Sequence, residues 1–339
     1  MKNMKKSIAI IFGGNSSEHD VSLSSATSVV EVVDMEKYNI TYVAVLKNGN
    51  WIVGEDALRY LKSKNDEELQ GRNDIVQFVE MTTKSEIDLV LPILHGAFGE
   101  DGRLQGFLDI LGVSYVFSSH SAHMLGMDKG LAKEVVAGHG VNIVPGILLH
   151  KDSKYDVEEI VGELGEALFV KPNKAGSSVG ISKVASKEGL VDAIKKAFRY
   201  DNQVIVEKEI RGRELTVAIV EDENGKNVLP IIEITANLSE WYDYKSKYEG
   251  GGSDHVCPAN IPKGIEERAR KYASKAFESV GCKNLARVDI LYDENDGEIY
   301  FLEINTIPGM TSTSLVPDAA HTVGISFEKL LDGLIENNL

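Results

Sequence analysis

The chain has 339 residues, with 52 acidic against 36 basic side chains and a net charge of −16. That length exceeds one ordinary core and predicts two or three domains. The acidic balance argues against nucleic-acid binding, which rests on phosphate neutralisation by basic surface, but leaves room for a small phosphorylated ligand held by a few local lysines. No apolar run reaches membrane-spanning length, so no membrane partner is expected. Cys257 and Cys282 show no CxxC spacing and argue for a reducing compartment, with the cytoplasm as the expected location. The basic start, Met1 to Lys6, precedes too short an apolar run for a signal segment.

Ile8 to Phe12 reads as a first strand, ending in Gly13-Gly14-Asn15-Ser16-Ser17-Glu18 and followed by a helical pattern through Val21, Ser25, Val29, Val32 and Val33. Strand, glycine turn and helix open α/β folds, and such turns often hold anions. G-x-G-x-x-G is absent, so there is no dinucleotide fingerprint. Glu18 repels phosphate and suits an ammonium group; equally, it suits a first-turn helix charge. Ile40 to Leu46 and Ile87 to Leu94 are further strands, separated by a charged, solvated segment, Lys62 to Glu68. The second runs into His95-Gly96-Ala97-Phe98-Gly99-Glu100-Asp101-Gly102-Arg103-Leu104-Gln105-Gly106. Parallel sheets bind ligands at the carboxyl ends of their strands, so Glu18 and His95 can face one crevice. In that glycine-dense loop His95 is either structural or functional.

Lys129 to His139 reads as a helix closed by Gly140, with the first domain boundary just before it. Strands Leu168–Pro172 and Ile181–Val184 flank a loop, Asn173-Lys174-Ala175-Gly176-Ser177-Ser178-Val179-Gly180. A Walker A loop joins strand to helix, so this is not a P-loop; it is either a flap over phosphates or an ordinary exposed hairpin. Gln203–Ile210 and Glu214–Val220 are strands around Arg211-Gly212-Arg213. Glu207 and Glu214 suit a ligand's amine and hydroxyls, or are plain surface carboxylates. Leu238 to Val256 is long, aromatic, cationic and hinge-rich, as a closing lid requires. Ile265, Ala269, Tyr272, Ala273, Ala276, Phe277 and Val280 form a core-facing helical stripe ending at Gly281.

Leu285–Tyr292 and Glu298–Asn305 form a hairpin around Asp293-Glu294-Asn295-Asp296-Gly297. With Tyr292 opposite Glu298, Arg287 faces Glu303 and Asp289 faces Phe301. Alternation then gives an apolar face of Val288, Ile290, Tyr292, Tyr300, Leu302 and Ile304, and a polar face of Arg287, Asp289, Glu303 and Asn305. Two carboxylates beside one arginine are costly to bury. A hard divalent cation resolves the imbalance, since oxygen-only ligands suit magnesium or manganese; a solvated face with one ion pair is the alternative. The polar loop Thr306 to Leu315, punctuated by Pro308 and Gly309, places backbone N–H groups beside the carboxylates and favours the site.

Four blocks together resemble the D-alanine–D-alanine ligases of the ATP-grasp superfamily: Gly13-Gly14-x-Ser16-x-Glu18, His95 to Gly106, Lys171 to Gly180, and Arg287-x-Asp289 with Glu303 to Pro317. They stand in the family's order and span nearly the whole chain. The resemblance implies an α/β (α+β) fold of three domains: an N-terminal parallel α/β substrate-binding domain (1–126), a central ATP-grasp subdomain (127–212), and a C-terminal catalytic domain (213–339) with a lid at about 238–256. ATP is clamped between antiparallel sheets of the last two. A homodimer is the expected assembly.

By the same resemblance Asp289, Glu303 and Asn305 bind two magnesium (or manganese) ions. Lys129, Lys171 and Lys247 hold phosphates, with Ser178 in the ATP site; Glu207, Lys208, Glu209 and Ile210 meet adenine, and Glu214 the ribose. Some members carry an aromatic residue where this chain has Glu209. Glu18 grips the first D-alanine's ammonium, with His95 nearby as base or scaffold. Ser177 bonds Tyr248, tying the lid to Glu18. Arg287 and the Gly309 N–H stabilise the oxyanion, and Ser314 with the Leu315 N–H holds the second carboxylate. The implied reaction forms an acyl phosphate on the first D-alanine, which the second D-alanine's amine attacks, giving the dipeptide for peptidoglycan synthesis. Lys247-Tyr248 matches the dipeptide-forming members, and ester-forming D-lactate relatives lack that tyrosine. Alternatives are D-serine as second substrate, a small-molecule kinase, and a catalytically silent nucleotide-binding sensor.

Overall fold

A computed structural model describes residues 5–237 and 253–339. The proposed lid residues Lys247 and Tyr248 lie outside the described residues, as does most of the segment around them.

The first sheet grows from β1 (Lys6–Gly13), whose Ile8 to Phe12 run is wholly buried. A continuous apolar run is what a strand covered on both faces requires. It pairs in parallel with β2 (Tyr38–Val45) and β4 (Leu89–Ile93). β3 (Trp51–Val53) and β5 (Ser114–Tyr115) complete the order β3-β2-β1-β4-β5. Helices α1 (His19–Val32), α2 (Glu55–Ser63), α3 (Ile75–Thr83) and α4 (Arg103–Leu111) connect these strands. The carboxyl ends of β1 and β4 bring the loops holding Glu18 and His95 to one edge.

After α5 (His120–Met127) and α6 (Lys129–Gly138), an antiparallel sheet forms in the order β6-β9-β7-β8. Its strands are β6 (Gly146–His150), β7 (Leu168–Pro172), β8 (Ser182–Val184) and β9 (Gln203–Lys208), with α7 (Val157–Leu164) and α8 (Lys187–Ala197) against it. The loop 173–180 joins β7 to β8, a strand-to-strand connection as expected. Gly140, at φ +72, follows α6 as the left-handed residue that ends it.

The third sheet has six strands, in the order β13-β12-β10-β14-β15 with β11 on β10. These are β10 (Arg213–Asp222), β11 (Gly225–Val228), β12 (Ile232–Ala236), β13 (Ser253–Val256), β14 (Leu285–Tyr292) and β15 (Ile299–Asn305). The helix Lys263–Val280 packs Ile265, Ala269, Ala273, Ala276, Phe277 and Val280 into this sheet's core and stops at left-handed Gly281. Only a short link after Lys208 separates β9 in one antiparallel sheet from β10 in the other, so the two sheets flank a cleft. The final helices, Leu315–Thr322 and Phe327–Glu336, join the apolar cluster that contains Ile8, Ile10 and Phe12.

The expected hairpin register is corrected. Tyr292 pairs with Ile299 and Ile290 with Phe301; a bulge then puts Asp289 opposite Glu303 and Arg287 opposite Asn305. Leu302 is the extra residue, so Ile299 and Phe301 are buried in place of Tyr300 and Leu302. A bulge seats two residues against one and re-aims the side chains beyond it. Here it sets the two carboxylates directly across from each other.

Candidate active site

Two cavities occupy the cleft. One, of about 370 Å³, lies between the parallel sheet's carboxyl edge and the loop after β15; Glu18, His95, Arg287, Gly309, Ser314 and Leu315 line it. The other, of about 550 Å³, lies between the antiparallel sheets and is lined by Lys171, Ser178, Glu207, Lys208, Glu209, Ile210 and Glu214. Lys129, Ser177 and Glu303 line both.

Glu18 is 7% exposed and accepts a hydrogen bond from the Ser177 hydroxyl, which reaches across from the β7–β8 loop. Ser177 and Ser178 both have positive φ, at +48 and +59. Consecutive non-glycine residues in that region are uncommon and mark a loop held in a strained shape. A Cβ on Gly96 or Gly176 would collide with the Glu18 carboxylate, so both glycines are needed for the loops to close on it.

His95 is buried, and both ring nitrogens are in use. The Ile307 carbonyl can only accept, so Nδ1 carries the proton and donates to it at 3.1 Å, leaving Nε2 to accept from the Ser25 hydroxyl at 2.9 Å. Burial lowers its pKa, against the opposing charge of Glu18. His95 therefore stands neutral and ties α1 to the loop after β15, the geometry of a scaffold. Glu100, which the sequence reading did not single out, accepts the Gly96 N–H at 2.6 Å. Burial and the charge of Glu18 push its carboxyl up to about 8.

Lys129 opens α6, donates to the Ala175 carbonyl at 2.9 Å and pairs with Glu303 at 3.2 Å. Fully buried Asn173 latches that helix start to the loop: its side-chain oxygen accepts the Gly130 N–H and its amide donates to Asp128 and Gln203. Lys171 pairs with Glu207 at 2.6 Å, and Lys133, also missed from sequence, ion-pairs with the other oxygen of Glu207. Glu209 pairs with Lys183 at 3.3 Å and Arg211 at 3.6 Å.

Asp289 accepts from Arg287 at 2.9 and 2.8 Å, from the Thr216 hydroxyl at 2.6 Å and from the Asn305 amide at 3.0 Å. No group of three carboxylate, imidazole or thiolate donors occurs among the described residues. The oxygen set of Asp289, Glu303 and Asn305 still fits a hard divalent cation, two carboxylates and an amide oxygen as third ligand. Glu303 is its accessible carboxylate, partly exposed and facing both cavities, while half-buried Asn305 faces the first. Ser314 stands at the N-cap position of the helix Leu315–Thr322 without a side-chain cap bond, and that helix start, whose first-turn N–H groups have no intrahelical acceptor, lines the first cavity at Ser314 and Leu315. A Cβ on Gly309 would crowd the Ser314 hydroxyl, at 2.9 Å.

A cleft between two antiparallel sheets, joined to a mostly parallel sheet, is the ATP-grasp architecture of a ligase. The family models for the D-ala D-ala ligase N-terminus and C-terminus match residues 7–118 and 135–336. The chain belongs to the D-alanine–D-alanine ligase family. It is 37% identical to the D-alanine–D-alanine ligase of Natranaerobius thermophilus, over 99% of this chain and 94% of that protein, and 35% identical to that of Clostridium acetobutylicum, over 98% of each. Among solved structures it resembles the VanG D-Ala:D-Ser ligase from Enterococcus faecalis (TM-score 0.85, 33% identity, 99% of this chain and 100% of that one). It also resembles the Bacillus anthracis D-alanine–D-alanine ligase complexed with ATP (TM-score 0.77, 30% identity, 98% and 97%).

Proposed function

We propose that the chain joins two D-alanine molecules into D-alanyl-D-alanine, using ATP and releasing ADP and phosphate, for peptidoglycan precursor synthesis. The observation that carries this reading is the shared wall: Lys129, Ser177 and Glu303 line both cavities. A phosphoryl group in one cavity and a carboxylate in the other therefore meet beside a cation and a hydroxyl. Such chemistry depends on positioning and charge stabilisation more than on covalent participation by the protein.

In this reading ATP enters the larger cavity, with Lys129, Lys171 and Lys247 at the phosphates beside Ser178, Glu207 to Ile210 at adenine, and Glu214 at the ribose. Asp289, Glu303 and Asn305 would hold two magnesium or manganese ions, whose charge offsets that of the phosphates. Glu18 grips the first D-alanine's ammonium, and that D-alanine's own carboxylate attacks the γ-phosphoryl group to give an acyl phosphate and ADP. The second D-alanine, held by Ser314 and the Leu315 N–H, attacks the acyl carbon through its amine, and phosphate leaves. Arg287 and the Gly309 N–H face the oxyanion; losing one such donor costs about 3 kcal/mol. His95 orients the crevice, and Ser177 couples its wall to the lid at Tyr248.

Domains at 1–126, 127–212 and 213–339, a cytoplasmic location and a homodimer belong to the same proposal. The two free cysteines support the location, and no helix among the described residues is long and apolar enough to cross a membrane. Sedimentation equilibrium tests the assembly.

The second reading, D-serine as second substrate, is favoured by the likeness to a D-Ala:D-Ser ligase. Mass analysis of products from ATP, magnesium and a panel of D-amino acids separates the two. D-alanyl-D-alanine should dominate; D-alanyl-D-serine as main product favours the second reading. A stable phosphorylated amino acid, or no turnover, defeats both.

A further inference from the structure

Lys133 follows Lys129 by four residues on α6, so both ammonium groups project from one helix face. Lys129 reaches the cavities; Lys133 lies behind the nucleotide cavity, 5% exposed, and among the described residues its ion-pair partner is Glu207, close in distance but without hydrogen-bond alignment. Glu207 is 2% exposed and sits between two ammonium groups, Lys133 on one oxygen and Lys171 on the other. One carboxylate against two lysines leaves a surplus positive charge beside the cavity.

Both Glu207 and Lys171 line that cavity. If Lys171 moves to a phosphate, Glu207 loses one of its two counter-ions. A buried carboxylate without any partner is strongly disfavoured. We propose that Lys133 is a positioning residue: the permanent counter-ion of Glu207, which frees Lys171 to leave Glu207 for the incoming nucleotide's phosphates. This rests on the reading that the cavity takes ATP. The electrostatics agree. Burial pulls the Lys133 ammonium down to about 8, with Glu207 opposing the fall. Burial acts to raise the Glu207 carboxyl, and the two lysines more than offset it, leaving it below its ordinary range. The arrangement keeps Glu207 ionised and fixed whether or not Lys171 is engaged elsewhere.

The test is a cycle of Lys133→Met, Glu207→Gln and the double variant, read by steady-state phosphate release with ATP and D-alanine varied separately. Lys133→Met should raise KM for ATP about 10-fold, as Lys171 is drawn back onto Glu207, while kcat and KM for D-alanine stay within about threefold. Adding Lys133→Met to Glu207→Gln should change KM for ATP by less than about twofold, because an amide needs no counter-ion. An unchanged KM in Lys133→Met, equal losses in every parameter, or a double variant far worse than Glu207→Gln overturns the proposal. Should Lys133→Met fail to fold by circular dichroism, the second comparison stands alone, since the double variant buries no charge pair. A wild-type chain inactive with ATP and D-alanine would instead defeat the functional reading, an outcome distinct from a flat cycle on an active enzyme.

Discussion

Asp289 and Glu207 are both buried strand carboxylates bracketed by cations, yet their clusters are built differently. Asp289 takes Arg287 from its own strand, Thr216 from the neighbouring strand β10 and Asn305 from β15, so every partner belongs to one sheet. Glu207 takes Lys171 from the adjacent strand β7 but Lys133 from a helix. The charge balance also differs. Among the described residues Arg287 pairs with Asp289 and Lys129 with Glu303, one cation to each carboxylate in these pairs, whereas Glu207 faces two lysines. On the proposed function a metal ion adds to the balanced cluster through its accessible carboxylate, while phosphate draws on the cluster with a cation to spare.

The largest expected effect comes from breaking the balanced cluster at Glu303. Glu303→Gln keeps the side chain's shape and removes the charge that faces both cavities. D-alanine-dependent phosphate release should fall about 100-fold or more, the scale seen when a charge-stabilising group at a reacting centre is lost. The thermal midpoint should move by no more than a few degrees, because Glu303 is partly exposed and Lys129 keeps its bond to the Ala175 carbonyl. A folded variant with near-normal turnover would remove Glu303 from the metal set and collapse the contrast between the two clusters.

That contrast also governs what can be read from sequence. Arg287-x-Asp289 lies on one strand face by simple alternation, so its pairing needs no knowledge of the fold. Glu303 and Asn305 follow once the hairpin is recognised. The register itself does not follow from periodicity. It depends on the turn closed by the Asp293 N–H to Glu298 carbonyl bond, and on the bulge at Leu302, which are local backbone choices. Lys133, on α6, and Glu207, on β9, are brought together only by the tertiary fold, and no short-range pattern relates them; the four-residue spacing from Lys129 was the one available signal. The buried strands β1 and β4 stand out as apolar runs. β6, largely exposed or half-buried, and short β3 do not. Glu100 lay inside a recognised block, but its role depends on the turn at Gly96 that aims a backbone N–H at it.

Thr216→Val sharpens the account of Asp289. Valine keeps the volume and deletes the hydroxyl that donates to Oδ1 at 2.6 Å. A buried bond to a charged acceptor contributes about 1–3 kcal/mol, so urea unfolding should show a loss of that size. Turnover should fall about 10-fold, as when a group that orients a ligating side chain is removed. Unchanged stability would mean that Arg287 and Asn305 alone satisfy the carboxylate.

The smallest expected effect on turnover concerns Glu100, a carboxyl with no ion-pair partner among the described residues. Burial and then the charge of Glu18 dominate, holding it at about 8 rather than 4.5. In the folded protein it stays protonated over a range where the unfolded chain ionises. Its stabilising contribution is therefore complete below the unfolded value of 4.5 and is lost as pH rises through about 8. Glu100→Gln cannot ionise in either state. The wild-type thermal midpoint should thus decline relative to the variant across that window, by a few degrees. A difference that stays flat would show Glu100 already ionised in the fold, with the nearby Arg287 charge outweighing burial as the two lysines do at Glu207.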